Sequence, residues 1–186
     1  FVVDMHSPGI TVEPIENMAG FSDFNQVFFD EVLVPKDNLE GQENRGWYQL
    51  LAALNFERGN TIIPIGHSRR VLDDMVSFLK EKRQAGHIAP RYQSLRHELA
   101  ELVIELEAAR LLVYRPVWME SKGLPGIHEA PMAKGLCTEL FQQVSNMAVR
   151  ILGLYGQLRE TSKWVPLGGR RLTEYLLSVA GTLVGG

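Results

Sequence analysis

The stretch "LRHELAELVIELEAARLLVYRPVW", residues 95–118, decides the fold that the sequence predicts. Its apolar residues recur at spacings of three and four, which places them on one face of an α-helix. That face comprises Leu95, Leu99, Leu102, Leu106 and Ala109, and it extends to Leu112. The stripe is wide enough to serve both a core and a subunit interface, which favours a bundle of packed helices.

Further helical patterns lie on both sides of this stretch. Gly59, Pro64 and Gly66 are expected to bend or interrupt the pattern that precedes it. Pro131 suits the start of the next helix, and "GLYG" is expected to end that helix at about residue 152. The predicted helices cover residues 47–82, 95–118, 131–152 and 170–184.

The first 40 residues have a different pattern, which is typical of β-strands. Strands are predicted at "FVVDM" (1–5), "ITVEPI" (10–15) and "NQVFFDEVLVP" (25–35), with the turn "SPG" after the first of them. The sequence therefore predicts an α+β chain that is mainly α, in which a short antiparallel β segment precedes an up-down four-helix bundle. We expect the β segment to span residues 1–42 and the helical domain to span residues 43–186.

Composition excludes several classes of function. A net charge of −3 and a pI near 6.0 argue against nucleic-acid binding. No apolar run reaches the length of about 18 residues that a membrane span needs, so we expect a cytoplasmic protein. The single cysteine, Cys137, excludes an internal disulfide and predicts a buried structural thiol. The five histidines contain no i, i+4 pair, so no metal site is predicted.

The two ends of the sequence indicate a segment of a longer protein. The chain opens without Met on a strand pattern, and it closes on the glycine pair of "TLVGG".

An ordered set of strings resembles the C-terminal part of the acyl-CoA dehydrogenases. The strings are "FVVDMHSPGITVEPI", "VFFDEVLVPKDNLEGQENRGW", "LNFERG", "LAELVIELEAARLLVYRPVW", "MAKGLCTELFQQVSNMAVRILGLYG" and "LVGG". The resemblance implies that residues 1–42 end the family's middle β-domain and that residues 43–186 form its C-terminal helical domain.

The resemblance also implies a chemistry. Acyl-CoA dehydrogenases use FAD to convert an acyl-CoA into a trans-2-enoyl-CoA, a step of fatty-acid β-oxidation, and they pass electrons to an electron-transfer flavoprotein. The protein has to supply a base for the α-proton of the substrate. A carboxylate suits this role because burial beside apolar groups raises the pKa of a carboxyl group toward neutral pH.

The family places this base at one of two sequence positions. The commoner position corresponds here to Gly185, which has no carboxylate. The other position corresponds to Glu57, which the resemblance therefore implies is the catalytic base. Arg58 follows it and is expected to shape the substrate site, and Asn55 is a candidate substrate contact as well as a candidate packing residue. A Glu-Arg pair on a helix is otherwise typical of an ordinary salt-bridging surface.

The resemblance implies FAD contacts at two further places. Arg83 and Gly86 match an element that binds the FAD of a neighbouring subunit, with Ala85 in place of the family's aromatic residue. In "RILGLYG", Arg150, Gly153 and Gly156 match a second element, with Leu154 replacing a glycine. A helix-end arginine and a simple C-cap with a turn are the alternative interpretations of these residues.

Three functions remain open on the sequence. The first is an acyl-CoA dehydrogenase that acts through Glu57 in a homotetramer or heterotetramer. The second is a non-catalytic partner subunit of a mixed acyl-CoA dehydrogenase tetramer. The third is an oxidase or flavin monooxygenase with the same fold, which would react with oxygen.

Overall fold

The computed structural model describes residues 1–57, 62–84, 91–124 and 128–182. The strands and α-helices in these ranges are β1 Ile10–Ile15, β2 Phe24–Phe29, α1 Gly46–Glu57, α2 Ile62–Gln84, α3 Arg91–Ser121, α4 Glu129–Leu152 and α5 Arg170–Gly181. The chain divides into two compact units, Phe1–Asn55 and Phe56–Gly186. No helix in the described ranges is both long and apolar enough to cross a membrane.

The first unit contains a two-stranded antiparallel sheet. β1 pairs with β2 so that Ile10 lies opposite Phe29 and Val12 lies opposite Val27. Because side chains alternate along a strand, these four residues share one apolar face. None of the side chains described in residues 1–57 is buried. The sheet therefore has no core of its own within this unit.

Two details of the predicted strands are wrong. Residues 1–5 form no strand, because the Val2 amide donates to the carbonyl of Asn38 at 2.9 Å and the Asn38 side chain donates back to Val2 at 2.9 Å. A 3₁₀ turn at Lys36–Asn38 thus takes the hydrogen bonds that a strand would supply. The strand predicted over residues 25–35 ends at Phe29, because Glu31 adopts a positive φ of 48°. Extended backbone cannot continue through such a residue.

The second unit confirms the helical bundle and the apolar stripe that predicts it. All five residues of the stripe from Leu95 to Ala109 are buried, with exposures between 0% and 7%. Val113 continues the same face and is 3% exposed. The spacing alternates between four and three residues, which is the heptad pattern of helices that pack at small crossing angles.

Helix α4 lies at the centre of this bundle, because it packs against α2, α3 and α5. Its buried apolar positions include a run with the same alternation of four and three, and small side chains at several of them allow neighbouring helices to approach closely. The positions in this run are Ala133, Cys137, Leu140, Val144, Met147 and Ile151, and Ala148 is buried beside them. The prediction that Cys137 is buried is confirmed, since it is 0% exposed.

Pro64 and Gly66 do not interrupt the helix in which they lie. α2 spans Ile62–Gln84, so both residues belong to it, and the expectation that they interrupt the helical pattern is wrong. Pro64 is tolerated because it lies in the first helical turn, where backbone amides have no intrahelical acceptor. Gly59 lies outside the described residues.

We expect Cys137 to resist alkylation in the native protein. Burial raises the pKa of its thiol from 9.0 to about 11, so roughly a hundredfold less thiolate is present at pH 8 than for an unburied cysteine. Intact-mass measurement after iodoacetamide treatment should show at least that slowing, and labelling in denaturant is the control. Labelling of the native protein at the rate of the denatured protein would contradict the buried position.

Candidate functional site

Glu57 is the last residue of α1, and Asn55 lies two residues earlier on the same helix. The side chains of both residues lie outside what the structure describes, and so do Arg58 and Gly185 as whole residues. Their roles as base, substrate contacts and alternative base position therefore stay predictions. The described backbone places Glu57 in α1, Gly46–Glu57, and the next described helix is α2, Ile62–Gln84.

Arg83 lies in the last turn of α2, on a groove between α2 and α3. The groove has a volume of about 660 Å³, and an apolar floor that includes Val76, Leu79 and Val103. Its lining also contains four cationic side chains and, within the described residues, no carboxylate. The four are Lys80, Lys82, Arg83 and Arg96. An apolar floor beside concentrated positive charge suits a ligand that has a flat apolar group and an anionic group.

The sequence analysis identified only Arg83 among these four cations. The run "KEKR" at residues 80–83 is a signal that points to Lys80 and Lys82. Arg96 is more difficult to find because it lies on the next helix, and only the antiparallel return of α3 brings it to the same groove.

Arg150 lies in the last turn of α4 and forms a forked ion pair with Glu98 of α3. Its Nη1 donates to Oε2 at 2.6 Å and its Nη2 donates to Oε1 at 3.2 Å. The hydrogen bond from Arg150 lowers the pKa of Glu98. Both side chains are partly exposed, at 49% and 39%, and solvent screens such pairs. An anionic ligand could therefore compete with Glu98 for the guanidinium.

Gly153 and Gly156 have structural roles in the turn that ends α4. Gly153 adopts a φ of 63°, and its amide donates to the carbonyls of Val149 and Arg150, which makes it the C-cap of the helix. Gly156 is buried, and a Cβ at this position would lie 2.7 Å from the carbonyl oxygen of Val149. The C-cap and turn interpretation of these residues is thus confirmed. Their contact with FAD stays a prediction.

A buried charged cluster joins α2 to α5, and the sequence analysis did not find it. Arg171 is 5% exposed and donates to Asp74 of α2 at 2.7 Å and to Glu174 at 2.6 Å. Burial raises the pKa of Glu174, and the nearby charges of Arg171, His67 and Arg170 offset this only in part. The i, i+3 spacing of Arg171 and Glu174 is visible in the sequence. Asp74 lies 97 positions away from Arg171, so the sequence holds no local signal for it.

The described residues offer some of what FAD would need. Arg83 and its cationic neighbours fit the charge of a diphosphate, and the apolar floor beside them fits an aromatic ring. Arg150 could bind an anionic group of FAD only if its ion pair with Glu98 were broken. Among the described residues, no three His, Cys, Asp or Glu side chains lie together in a way that could hold a metal ion.

Comparison with known proteins places these features in a family. Residues 44–169 match the family described as acyl-CoA dehydrogenase, C-terminal domain. The short/branched chain specific acyl-CoA dehydrogenase of Bos taurus mitochondria is 33% identical over 159 residues, which are 84% of this chain and 37% of that protein. The caffeyl-CoA reductase-Etf complex subunit CarC of Acetobacterium woodii is 30% identical over 163 residues, which are 86% of this chain and 43% of that protein.

A solved structure extends the match to nearly the whole chain. The Tcur3481-Tcur3483 steroid ACAD aligns with a TM-score of 0.86 at 27% identity, over 99% of this chain and 46% of that one. The chain therefore spans less than half the length of the relatives it matches.

We expect Gly156→Ala to destabilise the protein and Gly135→Ala to stabilise it. The first change forces a Cβ against a backbone carbonyl, at a cost of about 1–3 kcal/mol. The second adds a methyl group where no atom lies within 4 Å, in the interior of α4, and should add about 0.5–1 kcal/mol. Midpoints of urea denaturation measure both effects. An unchanged midpoint with a loss of FAD affinity in Gly156→Ala would instead show a purely cofactor-binding glycine.

Proposed function

This chain belongs to the acyl-CoA dehydrogenase family, and on that premise we propose that the full-length protein is an FAD-dependent acyl-CoA dehydrogenase. It would convert an acyl-CoA thioester into the trans-2-enoyl-CoA. Residues 1–42 would then end its middle β-domain and residues 43–186 would form most of its C-terminal domain.

Glu57 is the proposed base that takes the proton from the α-carbon of the substrate. The observation that carries this assignment is that, of the two positions where the family places its base, this chain has a carboxylate only at Glu57 and a glycine at Gly185.

FAD, when bound, would supply the acceptor for the two electrons removed from the substrate. Arg83, together with Lys80, Lys82 and Arg96, would hold its anionic part in the groove between α2 and α3. Arg150, Gly153 and Gly156 are the second proposed contact. Arg58 and Asn55 would line the substrate site.

Electron-transfer flavoprotein is the proposed electron acceptor. The similarity to a subunit of the caffeyl-CoA reductase-Etf complex supports it, because that relative works in an assembly with Etf. The acyl chain of the substrate stays open between short, branched and bulky polycyclic chains. The names of the bovine relative and of the steroid ACAD favour the branched and polycyclic chains respectively.

We expect Glu57→Gln in the full-length protein to remove turnover while FAD and acyl-CoA binding stay nearly unchanged. The amide keeps the size of the side chain but cannot accept a proton, so the rate of flavin reduction should fall by about 10²- to 10⁴-fold. Stopped-flow absorbance measures that rate, and Glu43→Gln, at an exposed position before α1, is the matched control.

A companion variant tests the two-position argument directly. Gly185→Glu in the Glu57→Gln background restores a carboxylate at the other family position, and it should recover part of the activity. Near-normal flavin reduction by Glu57→Gln alone would overturn the assignment of the base. Rapid reaction of the reduced protein with oxygen would favour the oxidase or monooxygenase.

A second candidate is a non-catalytic subunit of a mixed tetramer. The observation that favours it is the departure of "RILGLYG" from the family pattern at Leu154, beside the similarity to the steroid ACAD, whose name combines Tcur3481 with Tcur3483. The carboxylate at Glu57 favours the catalytic subunit instead.

We expect the full-length protein, produced alone, to be a yellow tetramer. The apolar residues of α3 that are exposed in this chain, including Ile104 at 71% and Leu111 at 63%, provide surface for contacts between subunits. Light scattering with a flavin absorbance spectrum measures both properties. A colourless protein that takes up FAD only when a second, unlike subunit is co-expressed would favour the mixed assembly.

A further inference from the structure

The candidate cofactor contact at Arg150 is opposed by other charges of this chain. Arg150 lines a shallow cavity of about 220 Å³ between α3 and α4, together with three carboxylates of α3. The three are Glu98, Glu101 and Glu105, and Arg150 is the only cation among the described residues of the lining. A ligand that brings further negative charge therefore enters a site whose net charge is already negative.

Glu98 occupies the fork of the Arg150 guanidinium. The two Nη atoms donate to the two oxygens of the carboxylate, at 2.6 Å and 3.2 Å. Phosphates accept hydrogen bonds through the same fork as carboxylates, so the two kinds of acceptor exclude each other there. An anionic ligand that binds this fork has to displace Glu98. The freed carboxylate then shares the cavity with Glu101 and Glu105.

The ion pair is weak enough for a ligand to displace it. Both of its side chains are partly exposed, and water screens ion pairs at such positions, so that they contribute little to stability. Breaking the pair is therefore a modest cost. This cost lowers the affinity of an anionic ligand for Arg150 without preventing its binding.

The groove between α2 and α3 differs in this respect. Its cations Lys80, Lys82, Arg83 and Arg96 share the lining with no carboxylate among the residues that the structure describes. An anion that enters the groove gains attraction without breaking an ion pair of the lining, whereas the same anion at Arg150 first has to break one. The two proposed contacts with FAD are therefore unequal, and Glu98 accounts for the difference.

We propose that Glu98 competes with the diphosphate of FAD for Arg150 and thereby limits the affinity of the protein for its cofactor. The proposal rests on the proposed function and adds to it a residue of α3 that determines how tightly FAD binds. The size of the cavity agrees with a contact to one part of FAD. Pockets that enclose whole ligands measure about 300–1,000 Å³, compared with about 220 Å³ here.

Titration of the flavin-free, full-length protein with FAD tests the competition. Glu98→Gln keeps the size of the side chain and removes the charge that holds the guanidinium. The dissociation constant of FAD should therefore fall by about two- to fivefold, the range that exposed ion pairs span. Glu101→Gln is the matched control, because it removes the same charge from the same cavity, whereas the ion pair of Arg150 is with Glu98. At physiological salt, where exposed charges are screened, the control should change the constant by less than about 1.5-fold.

A double-mutant cycle tests whether Arg150 is the group for which Glu98 competes. In the Arg150→Gln background, Glu98→Gln should change the dissociation constant of FAD no more than Glu101→Gln does. A gain in affinity that persists without Arg150 would overturn the competition, since it would indicate general repulsion by the carboxylates of the cavity. An unchanged or weaker affinity in Glu98→Gln alone would overturn it as well.

Thermal denaturation of the flavin-free protein separates competition from a structural role. Glu98→Gln removes an ion pair between α3 and α4, so the melting temperature should stay the same or fall slightly while the affinity for FAD rises. A purely structural role of the pair would lower the melting temperature and weaken FAD binding together.

The outcomes distinguish the competition from the proposed function. A wild-type protein that binds FAD, with no gain in Glu98→Gln, would overturn the competition and leave the proposed function in place. Absence of FAD binding by both the wild-type protein and Glu98→Gln would overturn both. Binding by Glu98→Gln alone would support the competition.

Discussion

The heptad seam on α2, α3 and α4 is the constraint on which the rest of this structure depends. On α3 the buried positions alternate between steps of four and three residues for the full length of the core, and those of α4 do so except for the added Ala148. This repeat keeps one face of each helix against its neighbours, and it allows side chains to interlock at small crossing angles. Fully buried small residues on the seam, among them Ala109, Ala133 and Ala148, set how closely the helices approach.

Polar groups lie inside this apolar frame at a few positions. The hydroxyl groups of Ser68 on α2 and Ser145 on α4 are buried and have no hydrogen-bond partner among the described residues. Nε of Arg171 is also buried without such a partner. Each unpaired buried polar atom costs stability. Apolar side chains of similar volume would favour the fold alone, so these positions are not optimised for stability.

The helical bundle could be predicted from the sequence, but the exact bounds of the strands and the effect of Pro64 could not. The stripe from Leu95 to Ala109 predicts the bundle because burial of a helix face leaves a periodic trace in the sequence. The strand predicted at residues 1–5 fails because the hydrogen bonds of Val2 go to Asn38, a pairing that depends on how the chain folds back. The prediction that Pro64 interrupts a helix fails because the effect of a proline depends on whether it lies in the first turn of the helix or further inside.

The candidate site shows the same division. Glu57, Arg83 and Arg150 could be proposed from the sequence because they stand in strings that resemble the family in order. Lys80 and Lys82 stand beside Arg83 in the run "KEKR", whereas Arg96 could have been found only by knowing that α3 returns along α2, and the link from Arg171 to Asp74 only from the packed structure. Contacts between distant parts of the chain leave no fixed spacing, so a single sequence does not contain them.

The buried core and the candidate functional groups lie in different parts of this chain. The middle of the bundle is apolar and tightly packed, whereas the candidate functional groups lie at helix ends, namely Glu57 on α1, Arg83 on α2 and Arg150 on α4. Helix ends expose backbone groups and helix-dipole charge, and they can move without disturbing the seam. A rigid seam alone does not fix the ends of its helices to each other. Directional contacts outside the seam, such as the ion pair of 2.7 Å between Arg171 of α5 and Asp74 of α2, add links between helices that apolar packing alone does not specify.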